Sequence, residues 1–418
     1  MFEIPVLHPA VRAWLLDGPL AAFVPVYVAR LKHGRYASGT VRRCLGALAH
    51  FAHWMVLCRL PATKLDESRV DQFLHDHLPH CGCLEQAMRH PREAHAALMP
   101  LLAILRRQGV IAELPAPAGP IADELRRFEA HMRDARGLAS GTRVGRLRIV
   151  ERLLIHKFGG RPLAFEALQP EDIRRFVAEQ MELVNTTSNA ATVNAAVRAY
   201  LRWRATCGDA VKPLLAVIAS PARWSLASLP RSLEPEEVDR VLGSFTRTLR
   251  SPKRGYAIVR LALDLGLRTA EINRLQLDDI DWKQGIVVLR RTKSRRQDLL
   301  PLPAITGKAL EAYVRYERPA AGGNRALFVR HLAPHDEPIG VHAIRRVVRD
   351  AFRRAGIAHG RAHALRHTLA CRLVNLGSPI KEVADVLRHR SLNTALIYAK
   401  LNHRALTEVA LPWPGSRP

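Results

Sequence analysis

Two arginines, two histidines, a lysine and a tyrosine stand in a fixed order along the second half of the chain, and together they could move a phosphoryl group. They are Arg268 in Gly266-Leu267-Arg268-Thr269-Ala270-Glu271, Lys293 in Thr292-Lys293-Ser294, His363 and Arg366 in His363-Ala364-Leu365-Arg366-His367, His389 in Arg388-His389-Arg390-Ser391, and Tyr398. A phosphodiester repels nucleophiles, and its transition state gathers further charge on the equatorial oxygens, where paired guanidiniums help most. Arg268 and Arg366 are the candidates for that clamp. His363 precedes Arg366 by three residues, so on a helix both can face one phosphate. Its expected role is proton handling around the tyrosine hydroxyl. His389 would add a hydrogen bond to a non-bridging oxygen or to the leaving group. A phenol of pKa about 10 is a poor nucleophile until positive charge stabilises its anion. Tyr398 sits where such charge would collect.

Several of these residues have other readings. Tyr256, Tyr313 and Tyr316 are alternative nucleophiles, although Tyr256 and Tyr313 look like packing residues. Lys293 lies in Arg290-Arg291-Thr292-Lys293-Ser294-Arg295-Arg296, a run that also suits a solvated face or a backbone-contact patch. As a catalyst it would reach from a hairpin tip into the minor groove and protonate an expelled 5′-oxygen of DNA. His367 reads as a packing residue or a backbone hydrogen-bonder, and Glu271 as the partner that fixes Arg268. No carboxylate cluster suggests a two-metal nuclease. The set is therefore read as working without a metal or cofactor.

Behind these residues stands a chain of 418 residues, enough for two or three domains, with 48% hydrophobic content to build their cores. Its 64 Lys and Arg against 38 Asp and Glu give a net charge of +26. Such an excess suits a densely anionic partner, double-stranded DNA first; a chain that merely tolerates its charge would carry the self-repulsion for nothing. The cysteines at 44, 58, 81, 83, 207 and 371 form no disulfide-type framework in a chain this long, which fits a reducing cytoplasm. Cys81-Gly82-Cys83, with histidines at 75, 77 and 80, invites a zinc reading. The spacing is not the usual Cys-x2-Cys and no second pair follows, so a loop between helices is expected and no metal. No apolar run reaches the roughly 18–20 residues that span a bilayer, and no basic start precedes an apolar stretch. Neither a membrane span nor a signal peptide is expected.

Ala37-Ser38-Gly39-Thr40 recurs as Ala139-Ser140-Gly141-Thr142, and Leu45, Leu48 and Phe51 align with Leu147, Val150 and Leu153. In each copy Ser/Gly/Thr is expected to cap an amphipathic helix, preceded by another such stretch, Phe23–Leu31 and Ile121–Met132. Two related helical domains, 1–112 and 120–220, are the simplest reading. The stiff run Pro115–Pro120 links them, and a second break runs from Ser220 to Arg231. A third domain, 230–418, follows. In it, Tyr256–Leu265 reads as a helix stopped by Gly266, Thr269–Leu275 as a short helix, and Gly285–Leu289 with Asp298–Leu302 as a hairpin. A further helix opens at Ser378-Pro379. The fold class expected is mainly α and multidomain, the last domain mostly helical with a small antiparallel sheet.

Residues 230–410, through the ordered set above, resemble the catalytic domain of the tyrosine recombinase (phage integrase) family. The resemblance implies that Arg268, Lys293, His363, Arg366 and His389 surround the scissile phosphate and that Tyr398 attacks it. It implies a 3′-phosphotyrosyl intermediate, a free 5′-hydroxyl, strand exchange through a Holliday junction and a homo-tetramer on two DNA sites. It further implies site-specific integration, excision or resolution for a mobile element in the cytoplasm, with the nucleoid, and accessory DNA-bending or partner recombinase proteins. Residues 120–220 are similar to the family's helical core-binding (SAM-like) domain. Residues 1–112 exceed a minimal member, and Leu401–Leu411 is placed where relatives dock a short helix on a neighbour. Arg388 departs from a glycine common in the family, which is expected to alter a loop and not the mechanism. A type IB topoisomerase-like enzyme and a DNA-binding accessory protein without strand-transfer activity are the competing readings; the intact residue set argues against the second.

Overall fold

The structure is a computed structural model, and it describes residues 7–84, 88, 90–114, 117–159, 161–183, 187–219, 231–290, 297–320, 323–335, 337–358, 360–389 and 391–401. The chain forms two compact units, one drawn from 1–111 together with 226–418, the other from 112–225.

Within 7–111, helices α1 (Pro9–Leu16), α2 (Val24–His33), α3 (Ser38–Leu57), α4 (Glu67–Gln72) and α5 (Pro91–Arg107) surround one apolar core. Helix α3 runs through it because Leu45, Leu48, Phe51, Ala52 and Met55 recur at three- and four-residue steps and are all buried. Each such large side chain contributes about 1.5–3 kcal/mol when fully removed from water. His50 lies on the same helix and is fully buried too. Helix α4 continues into a π-helical turn, Phe73–His77.

The second unit holds α6 (Pro120–Ala130), α7 (Ser140–Phe158), α8 (Pro170–Glu182), α9 (Thr187–Thr206) and α10 (Lys212–Ala216). Phe128, Leu153, Leu154, Phe176, Val197 and Tyr200 form its centre. The repeat has a structural counterpart, with one correction. The N-cap residues of α3 and α7 are Ala37 and Ala139, whose backbones match at φ −60, ψ 144 and φ −62, ψ 144, and no side chain caps either helix. The serines expected as caps begin the helix. The alanine carbonyls accept the amides of Thr40 (2.8 Å) and Thr142 (2.9 Å), so the backbone closes the first turn and no hydroxyl is needed. Downstream, Leu45, Leu48 and Phe51 are buried, as are Val150 and Leu153, while Leu147 is partly buried.

From residue 231 onward the chain gives α11 (Pro235–Gly243), α12 (Pro252–Asp264), α13 (Thr269–Arg274), β1 (Ile280–Asp281), β2 (Ile286–Leu289), β3 (Asp298–Pro301), α14 (Ala304–Tyr316), α15 (Val341–Arg354), α16 (Ala362–Asn375) and α17 (Ile380–Val386). Proline in the first turn and the Glu237 carboxylate accepting from the Glu234 amide (3.1 Å) start α11, as the carboxylate-rich sequence dictates. The expected hairpin is present: β2 and β3 are antiparallel with Leu289 opposite Asp298 and Ile286 opposite Pro301. Strand β1 adds a third member, pairing Ile280 with Val287; at two residues it is too short to leave an alternating pattern. Helix α15 buries Ile344, Val348, Ala351 and Phe352 and turns arginines to its other face. The fold is mainly helical with a small antiparallel sheet. Among the described residues no single helix is long and apolar enough to cross a membrane.

Candidate phosphoryl-transfer site

Helix α12 ends at Asp264, and the chain then turns sharply at Gly266, whose φ is +57. The positive φ favours glycine, and a Cβ there would lie 2.8 Å from Leu387 Cδ2 and have to push that side chain aside. This turn delivers Arg268 to the N-terminus of α13. Its backbone amide donates to Glu271 Oε2 (2.8 Å) and its Nη1 to Glu271 Oε1 (2.7 Å), the structural partnership that the three-residue spacing suggested.

Glu271 also meets a residue from far along the chain. Arg388 is buried, and its Nη2 donates to Glu271 Oε2 (3.1 Å) and to the Gly266 carbonyl (3.2 Å). Arg388 has φ +53, the left-handed region where glycine is at ease and other residues cost roughly 1–2 kcal/mol. Beyond the loop change expected from sequence, the residue has a structural task. Its side chain braces Glu271, and its carbonyl accepts from Arg268 Nη2 (3.3 Å). Burial pushes the Glu271 carboxyl up, but Arg388 and then Arg268 outweigh it, and its pKa lies below the usual carboxylate range. Removing the carboxylate would leave Arg388 buried without a counter-charge. Glu271→Ala is therefore expected to lose about 3–5 kcal/mol of stability, read from the chemical denaturation midpoint. Because the folded pKa is depressed, the carboxylate's contribution is present above its unfolded value of about 4.3 and fades as pH falls through the folded one. The deficit of the alanine variant should shrink in acid accordingly.

Arg366 and His363 lie on α16, three residues apart as the helical reading required, and both line one cleft of about 610 Å³. Arg366 is buried; Nη1 donates to the Gly266 carbonyl and Nη2 to the Leu387 carbonyl. Burial, then Arg268 and Arg388, push its pKa down to about 9. A desolvated guanidinium among like charges is poised for an anion. The cleft also holds Arg268, Arg345, Arg349 and Arg361, and none of the described residues lining it is acidic. Sequence reasoning passed over Arg345 and Arg349; their signal was the arginine-rich face of α15.

Tyr398 lies in the 3-10 stretch Leu396–Leu401 and is 2% exposed. Its hydroxyl shares a 2.8 Å hydrogen bond with Nδ1 of His367. His367, read from sequence as packing or bonded to backbone, thus contacts the tyrosine. Burial, then His363 and Arg366, lower its pKa, so the ring is neutral at pH 7. The ring of His389 stacks 6.3 Å from that of Tyr398. Burial, followed by Arg366 and Arg268, depresses His389 to about 4, and its Nδ1 meets no partner among the described residues. Burial pushes the Tyr398 phenol up to about 12 against the pull of Arg366.

The other tyrosines are engaged elsewhere. Tyr256 accepts from Arg260 (3.0 and 3.1 Å), Tyr313 accepts from the Val329 amide (3.3 Å), and Tyr316 lies 72% exposed beneath Lys253. Lys293 falls outside the described residues, as do Arg390 and the chain beyond Leu401. Within 112–225, Arg146 joins Arg136, Arg198 and Arg202 along a separate cleft of about 370 Å³, whereas Arg143 pairs with Glu129 (2.9 Å).

Comparison with known proteins shows the family of this chain. The model of the phage integrase family matches residues 231–404. A Sinorhizobium fredii (strain NBRC 101917 / NGR234) protein described as an integrase/recombinase, y4rA, is 32% identical over 404 residues, 96% of each chain. Tyrosine recombinase XerD of Mycobacterium tuberculosis (strain ATCC 25618 / H37Rv) is 29% identical over 330 residues, 75% of this chain and 97% of the relative. The solved structure of the XerH site-specific recombinase, bound to a palindromic difH substrate, shares the fold with TM-score 0.51 and 15% identity over 96% of both chains. The chain belongs to the phage integrase family and is a tyrosine-type recombinase.

Proposed function

We propose that this protein is a site-specific recombinase that cleaves and rejoins double-stranded DNA through Tyr398, acting as a homo-tetramer in the cytoplasm, with the nucleoid, to integrate, excise or resolve a mobile element. The observation that carries this reading is the Tyr398 hydroxyl held 2.8 Å from a neutral histidine, in one cluster with buried Arg366 and His389. The net charge of +26 and the two arginine-lined clefts supply contacts for a DNA backbone. The relative named as an integrase supports the mobile-element role.

In the reaction, Arg268, His363 and Arg366 hold the non-bridging oxygens and His389 donates a further hydrogen bond. The proton-handling role expected of His363 passes to His367, whose Nδ1 is hydrogen-bonded to Tyr398 Oη and takes the phenolic proton as that oxygen bonds to phosphorus. The bond from phosphorus to the 5′-oxygen breaks, leaving a 3′-phosphotyrosine, and Lys293 gives the departing oxygen its proton. Attack by a 5′-hydroxyl from the partner strand reverses these steps and completes exchange. His367→Ala is expected to slow single-turnover cleavage by about 10²-fold or more while DNA affinity holds. Its cleavage rate should also lose the acid limb that a titrating base imposes. An unchanged pH–rate profile would take His367 out of this role.

Supercoiled plasmid carrying two copies of the DNA flanking this protein's gene tests the reading. The expected result is excision or inversion that depends on both copies. Relaxation irrespective of sequence would favour a topoisomerase, and binding without strand change would favour an accessory protein that works beside a partner recombinase.

A further inference from the structure

We propose that the 7–111 region holds a structural zinc ion on His50, His77, Cys81 and Cys83. One ligand-capable atom from each residue, a ring nitrogen or Sγ, lies within 4.8 Å of the others. His50 Nε2 is 3.3 Å from His77 Nε2, and His77 Nε2 is 3.7 Å from Cys83 Sγ. Zinc bonds of about 2.0–2.1 Å to nitrogen and 2.3 Å to sulfur at tetrahedral angles give edges of roughly 3.3 Å between nitrogens and 3.6 Å between nitrogen and sulfur. Both observed separations match these edges, and every other pair lies within 4.8 Å.

His50 supplies an independent observation. It is fully buried in the middle of α3, and its Nδ1 lies 2.7 Å from the Met88 carbonyl. A carbonyl only accepts, so Nδ1 carries the proton and the Nε2 lone pair points toward His77. A carbonyl that fixes the tautomer and aims the other nitrogen is the usual outer partner of a metal-bound histidine. Phe73 packs edge-on against the ring, 5.3 Å away, and keeps that side apolar. His77 ends the π-helical turn after α4, a local distortion that recurs at functional positions.

Two thiolates and two imidazoles in tetrahedral reach favour zinc over harder cations, and four protein ligands leave no open position for chemistry. The ion would therefore tie the segment around Cys81–Cys83 to α3 and hold this region's core together. Two thiolates also neutralise the ion's charge, so it adds nothing to an already strongly basic chain. The Cys-x-Cys spacing alone gave no second ligand pair; the missing half comes from His50, 27 residues before His77 and indistinguishable in sequence from a core residue.

Metal analysis of the full-length protein, purified without chelator, tests this directly. One zinc per chain is expected, and exchange with cobalt should give the visible bands of a tetrahedral thiolate site. Cys81→Ser and Cys83→Ser should each drop zinc to near none, while Cys58→Ser and Cys207→Ser, which change exposed thiols elsewhere, should retain it. Circular dichroism of each variant separates loss of ligand from loss of fold. A folded native protein with no zinc and no cobalt uptake would overturn the proposal, as would zinc that survives both Cys81→Ser and Cys83→Ser.

Discussion

Tyr398→Phe is expected to bind DNA as tightly as the unaltered protein and to form no covalent complex with it. The expected loss of cleavage is at least about 10⁴-fold, down to the detection limit, because removal of a nucleophile leaves only binding and charge stabilisation. The phenylalanine keeps the ring that packs among Cys371, Val374, Val383 and Leu387. Among the described residues it gives up one hydrogen bond, to His367, roughly 0.5–1.5 kcal/mol of stability. Equilibrium binding and denaturation should therefore barely change while adduct formation disappears. Residual cleavage in this variant would point to Tyr256, Tyr313 or Tyr316, and the side chains around those three make that outcome costly. Each is either already hydrogen-bonded or largely exposed.

Arg366→Ala is the second large effect, about 10³–10⁵-fold in cleavage rate, the range seen when a charge-stabilising arginine is withdrawn from phosphoryl transfer. Its guanidinium is held by two backbone carbonyls and hydrogen-bonds to no carboxylate among the described residues, so its charge is available to a phosphate. Burial and the neighbouring Arg268 and Arg388 already push its pKa down to about 9, and an arriving phosphate relieves that penalty. The gain grows with the charge of the transition state. Arg366→Lys keeps the charge but not the planar fork that reaches both carbonyls, and should remain at least about 10²-fold slow. Single-turnover cleavage on a saturating duplex gives both numbers.

Local order made much of this legible. Glycine after an apolar helix announced the turn that presents Arg268, β-branched residues announced β2, and the spacing of His363 and Arg366 put both on one helical face. Long-range pairing was not legible. Arg388 and Glu271 are 117 positions apart, and nothing in either neighbourhood says that they meet in a buried ion pair. His367 stands one helical turn after His363, their rings 6.4 Å apart, so its face was legible but its partner was not; only the fold of the segment carrying Tyr398, 31 residues on, brings a hydroxyl to it. His50 shows the same limit. Periodicity assigns a residue to a face but not what that face meets.

Peptide mapping of the protein–DNA adduct addresses the central claim most directly. The protein would be trapped on a nicked suicide duplex drawn from DNA beside its gene, digested, and read by mass spectrometry. The account predicts a nucleotide joined through its 3′-phosphate to the peptide containing Tyr398, with a free 5′-hydroxyl on the released strand. An adduct on another residue, a 5′-phosphate linkage, or tight binding with no adduct on any fragment would contradict it.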